Sequence, residues 1–171
     1  MAPLELPEYL EPVLAFVNSM DVEEGTDELT DASALTTWLA SRFVVDSGPA
    51  SAREFRLALS LRSTLRGLAL ANHADVEPVD VSCFARLPFA ASSGPDFEPQ
   101  ATGPIMRALT QLAIGYARAQ AAGSWQRLRL CPGDNCYWAF WDSSPRGARR
   151  WCSMRVCGNR AKARTYATRP R

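Results

Sequence analysis

Four cysteines constrain this chain more than any other feature. Cys131, Cys136, Cys152 and Cys157 form two C-x4-C pairs separated by fifteen residues. Two short-spaced pairs at this separation are the usual way to assemble a tetrahedral four-thiolate zinc site, each pair closing a tight knuckle. The segment between the first two, Pro-Gly-Asp-Asn, supplies preset φ, positive φ and local side-chain hydrogen bonds, which is turn chemistry. Two disulfides, an iron–sulfur cluster and buried core thiols are the alternatives. The symmetric pairs favour a mononuclear site, and a cysteine at every position leaves no open coordination position for catalysis. The fifth cysteine, Cys83, lies outside the pattern and reads as a buried apolar residue.

The segment carrying the cysteines differs in charge from the rest. Residues 1–126 hold 16 acidic side chains against 8 arginines, a formal −8, whereas residues 127–171 hold 11 basic against 2 acidic, a formal +9. This predicts an acidic body of residues 1–126 carrying a basic zinc module of residues 127–171, and a basic module points to a polyanionic partner. A module of this size with few aliphatics folds poorly alone, which again favours a metal that contributes folding energy.

The first 126 residues read as mainly helical. Leu10, Val13, Leu14 and Val17 share a face near Pro12, and Asp31 is placed to cap a helix bearing Leu35, Trp38 and Leu39. Ser51 precedes the longest helix, where Leu57, Leu61, Leu65 and Leu68 form a stripe and Arg53, Arg56, Arg62 and Arg66 make the wetter sides. Residues 76–104, dense in Pro, Gly and Ser, predict short strands, including one over 81–87, in a small β-hairpin. A last helix runs from Pro104 to near Gly123 with Ile105, Leu109, Leu112 and Tyr116 inward.

In the basic module, residues 137–141 (Tyr-Trp-Ala-Phe-Trp) read as a strand, 142–148 as a turn and 149–152 as the returning strand. A helix from about Ser153 follows, giving a treble-clef-like α+β finger with its last two thiolates at the helix start. The hydrophobic share of 47% excludes wholesale disorder. No apolar run reaches the roughly 18–20 residues that span a bilayer, and the proline-broken acidic N-terminus lacks signal-peptide features, so a cytoplasmic protein with no membrane partner is expected. No Ser-His-Asp set, Walker loop or dinucleotide fingerprint occurs, and the expectation is a protein that is not an enzyme. His73, the single histidine, reads as a capping or surface residue, and Glu23, Glu24, Asp27, Glu28 and Asp31 as a solvated acidic loop.

The sequence Trp151-Cys-Ser-Met-Arg-Val-Cys-Gly-Asn-Arg160, with Phe140, Asp142, Ser144 and Arg150 before it, closely resembles the CGNR zinc-finger family. The stretches around residues 14–21 and 35–39 resemble the ABATE domain that usually precedes that finger. The resemblance implies the four cysteines as zinc ligands, DNA as the finger's partner and a role in bacterial stress-induced transcription regulation. On a helix from Ser153, Arg160 and Arg164 align, Arg155, Asn159 and Lys162 form a neighbouring stripe, and Arg169 lies beyond. These six are the candidate nucleic-acid contacts, by phosphate pairing or, for Asn159, base reading. Asn159 and Arg160 have a second reading, as groups supporting the metal site. The N-terminal domain is expected to sense a ligand, form a homodimer or contact a protein partner. The alternative function is an adaptor whose finger docks a partner or its own acidic domain.

Overall fold

The computed structural model describes residues 4–46, 48–92 and 96–167. A 3-10 turn, Glu8–Leu10, leads into α1, Glu11–Val17, with Pro12 in its first turn where the missing N–H costs nothing. Two-residue strands β1, Met20–Asp21, and β2, Thr26–Asp27, pair antiparallel. Helix α2, Ala32–Ala40, starts at Asp31, whose Oδ1 accepts from the N–H groups of Ser33 and Ala34, both at 2.8 Å. Helix α3, Ala52–Ala71, starts at a reciprocal capping box between Ser51 and Glu54. Helix α4, Pro104–Ala121, has Pro104 at its start, and Gly123 takes positive φ just past its end.

The apolar faces of these four helices converge on one core. Leu10, Val13, Phe16, Leu35, Leu39, Leu61, Leu65, Leu109 and Leu112 are wholly buried there. Gly115 lets α4 approach the chain ahead of α1, since a Cβ there would lie 2.6 Å from the Tyr9 carbonyl oxygen and 2.8 Å from Val13 Cγ2. Tyr116, placed inward by the helical period, is half-buried, stacks on Phe84 and meets the Trp125 ring at right angles.

Two local readings are corrected. Residues 82–86 of the expected strand form a 3-10 turn, Ser82–Arg86, because Asp80 accepts from the Ser82 N–H at 2.9 Å and its hydroxyl at 3.1 Å. The hairpin lies just beyond, as β3, Phe89–Ala91, paired with β4, Phe97–Pro99. Cys83 is buried in the turn against Thr64.

The second correction concerns Arg62, expected on a wetter side of α3. It is 6% exposed and forms a two-pronged ion pair with Asp27, both contacts at 2.6 Å, while also donating to Ser19 Oγ. Arg66, one turn on, donates to the Val17 carbonyl at 2.7 Å, satisfying a group that the end of α1 leaves unpaired. The β1–β2 hairpin therefore brings an acid onto the arginine face of α3.

The core does not stop at residue 126. Strand β5, Leu128–Leu130, pairs with β6, Ala139–Trp141, and Leu128, Leu130 and Ala139 are buried in the same cluster as the helices. Asn72, at the end of α3, donates to the carbonyls of Trp125 and Leu128 at 2.9 and 2.7 Å. A wide i→i+5 turn, Met154–Gly158, then leads into the terminal helix α5, Asn159–Ala167. No helix among the described residues is long and apolar enough to cross a membrane.

Candidate metal centre

The first cysteine pair sits at the tip of the β5–β6 hairpin. Cys131 directly follows β5, and its N–H donates to the Trp138 carbonyl at 2.9 Å; the Cys136 N–H closes the knuckle on the Gly133 carbonyl at 3.0 Å. The reversal relies on left-handed backbone at Asn135, φ 60°, before Cys136, and at Tyr137, φ 48°, just after it. Asparagine tolerates that conformation, whereas a tyrosine adopts it only where its surroundings impose it. Arg66 donates to the Tyr137 carbonyl at 3.1 Å, so the knuckle leans on α3. A Cβ on Gly133 would lie 3.3 Å from Cys157 Sγ and 3.5 Å from Cys131 Sγ, so a larger residue would press on the sulfurs.

The second pair is set by the wide turn. Ser153 caps it by accepting from the Val156 N–H, and the Gly158 N–H reaches back to the Ser153 carbonyl at 3.0 Å. This single turn spans the C-x4-C spacing and brings the sulfurs of Cys152 and Cys157 to 3.7 Å. Such turns concentrate at functional sites. Gly158 lies under Met154 and Trp151, where an added Cβ would be 2.8 Å from the Met154 thioether and 3.3 Å from the indole.

Residues 142–149 join the pairs around Asp142, which is wholly buried. Its Oδ1 accepts from the Ser144 N–H and hydroxyl, at 3.0 and 2.6 Å, and its Oδ2 from the Arg149 N–H at 2.8 Å. Burial pushes this carboxyl up, but those bonds and the Arg129 charge outweigh it and hold the group below its ordinary range. Arg129 also donates to the carbonyls of Gly147 and Arg149, and Arg127 to those of Asp142 and Ser144.

Residues 149–152 therefore do not return as a strand. The returning strand is β6, paired with β5 across the first knuckle, and Arg149 instead donates to the carbonyls of Trp151 and Cys152. Arg150 lies over the Trp151 ring at 5.0 Å.

All four sulfurs lie within 4.8 Å of one another, and Cys136–Cys152 are 3.6 Å apart. A disulfide needs about 2.0 Å, whereas a tetrahedron of zinc–sulfur bonds near 2.3 Å has edges of about 3.8 Å. Cys131, Cys136 and Cys157 are buried and Cys152 partly so, with Phe140 and Trp151 packed around them.

Without a cation the sulfurs do not ionise together. Burial works against the Cys131 thiolate, but hydrogen bonds, led by the Cys152 and Gly133 N–H groups, overcome it and hold that thiol below its ordinary value. Burial, then contact with Cys131 and Cys136, pushes Cys152 up. Burial and the bond to Cys136 push Cys157 to about 11. A divalent cation resolves this conflict by stabilising all four thiolates, so the donor set fits structural Zn2+.

The remaining candidates are dispersed. Arg160 pairs with Glu23 at 2.5 Å, and Arg164 with Asp134 at 2.8 Å. The Asn159 amide donates to the Arg155 carbonyl at 3.1 Å. Arg155 and Lys162 are exposed and form no ion pair among the described residues; Arg169 lies outside those residues. Trp138 is partly exposed, Phe140 is buried beside the cysteines, and Trp141 donates to the Leu4 carbonyl at 2.9 Å. Of the acidic loop, Asp27 holds Arg62, Glu23 holds Arg160 and Asp31 caps α2. His73 is half-buried, and burial, then the charges of Arg129 and Arg150, lower its pKa and favour a neutral ring at pH 7.

The spacing, geometry and chemistry together define a closed four-thiolate zinc finger. Residues 127–170, about a quarter of the chain, match the CGNR zinc finger family, whose namesake tetrapeptide is here Cys157–Gly158–Asn159–Arg160. No curated protein matches the chain. A zinc-binding finger is consistent with a nucleic-acid or protein partner.

Proposed function

We propose that this protein is a zinc-containing, DNA-binding transcription regulator in a bacterial stress response. Its ABATE-like helical part serves sensing, dimerisation or partner contact, and a closed zinc site makes the finger architectural rather than catalytic. The observation that carries this reading is helix α5. None of its residues is buried, and Lys162, with Arg155 in the preceding turn, is exposed and unpaired by acid among the described residues. The ion pairs of Arg160 and Arg164 involve substantially exposed side chains. Pairs of this kind contribute only about 0–1 kcal/mol, so phosphate oxygens can replace the carboxylates.

The Arg160–Glu23 contact also favours a second reading, in which the finger docks onto its own acidic part and acts as an adaptor. Titrating labelled duplex DNA by fluorescence anisotropy at several salt concentrations separates the two. The DNA reading expects binding whose logarithmic affinity falls linearly with logarithmic salt, and weaker binding to all sequences after Lys162→Glu with Arg155→Glu. Absence of binding at low salt, or binding insensitive to salt and to that double substitution, leaves the adaptor.

A further inference from the structure

Away from the zinc site, a cavity of about 520 Å³ opens where the start of α3, the turn Ser82–Arg86 and the start of α4 meet. Its volume lies within the roughly 300–1,000 Å³ typical of small-molecule sites. Leu57, Ala85 and Met106 provide an apolar part of the lining, and Leu57 is itself buried. Arg53 and Arg86 also line it, and neither forms an ion pair among the described residues. The one acid in the lining, Glu54, uses its Oε2 to accept from the Ser51 N–H at 2.8 Å and the Ser51 hydroxyl at 2.6 Å. It is committed to the helix cap rather than to either arginine.

We infer that this cavity binds an amphipathic organic carboxylate, its apolar body against Leu57, Ala85 and Met106 and its carboxylate held by Arg53 and Arg86. A guanidinium pairs with a carboxylate through two parallel hydrogen bonds, and the two arginines come from different elements, α3 and the 3-10 turn. The apolar surface selects against small inorganic anions, and the arginines select against neutral molecules of the same shape.

The test uses the full chain in its zinc-loaded form, with octanoate as probe and octan-1-ol and inorganic phosphate as controls, followed by calorimetry and thermal unfolding. Saturable octanoate binding is expected, with octanol and phosphate each at least about tenfold weaker. Arg53→Gln with Arg86→Gln should weaken octanoate by roughly tenfold or more while leaving the unliganded melting temperature unchanged. Met106→Trp should block the cavity and abolish binding while both arginines remain. Any of three results overturns the inference: no saturable octanoate binding at low millimolar concentration, undiminished binding by a folded double variant, or phosphate binding as tightly as octanoate.

Discussion

Asn18 and Ala139 are joined by two hydrogen bonds across 121 positions of sequence: the Asn18 amide donates to the Ala139 carbonyl at 2.9 Å, and the Ala139 N–H donates to Asn18 Oδ1 at 2.8 Å. The side chain imitates a neighbouring strand, satisfying β6 from the residue that ends α1. Replacing Asn18 by Leu removes both bonds and strands polar backbone at a residue only 1% exposed. A loss of about 2 kcal/mol is expected from urea unfolding, with an unchanged m-value.

Removing the metal should affect the whole fold because the hairpin bearing Cys131 and Cys136 shares its core with the helices. Chelation is expected to lower the melting temperature and to reduce protection of α3 amides in hydrogen exchange. Cys136→Ser should reproduce both effects and lower zinc content in metal analysis. Zinc binding should release protons and tighten as pH rises, since the metal displaces them from sulfur.

The Arg62–Asp27 pair predicts acid sensitivity. Burial pushes Asp27 up, but the Arg62 hydrogen bond, the Leu29 N–H and the Arg62 and Arg66 charges outweigh it and hold its folded pKa below 3.8. A depressed folded pKa gives stability that is present above the unfolded value, about 3.9, and lost as pH falls through the folded value. Urea midpoints should therefore decline below about pH 4, and Asp27→Asn should flatten part of that decline. At pH 7 the same substitution leaves Arg62 buried without its counter-charge and should cost about 3 kcal/mol.

Gly115→Ala reverses the usual helix rule. In an exposed helix the change stabilises by about 1 kcal/mol, but here the added methyl meets backbone at Tyr9. A net loss of about 1–3 kcal/mol is expected, read as a lower melting temperature. The comparison substitution Gly123→Ala is strained for a different reason, its positive φ, and meets no atom within 4 Å.

What the sequence determined by itself was local. Asp31, Ser51 and Pro104 mark helix starts because each acts on backbone within three or four residues. The cysteine spacing announces the zinc site because each pair is closed by a single turn, and Ser153 marks the start of the second for the same reason. The expected strand over 81–87 failed at Asp80, a local signal passed over: an Asp two residues before Ser82 specifies a turn.

What only the tertiary structure decided depends on distant partners. Helical period placed Arg62 on a wetter side, and it is buried because a hairpin 35 positions away delivers Asp27. Composition divided the chain at residue 126, since charge is counted along the sequence. Burial is decided by which apolar faces meet, and Leu128, Leu130 and Ala139 meet the helices. The pairing of Arg160 with Glu23 likewise depends on a separation of 137 positions that no local pattern encodes. Short-range hydrogen bonding and metal geometry are written in spacing; long-range pairing exists only once the chain has closed on itself.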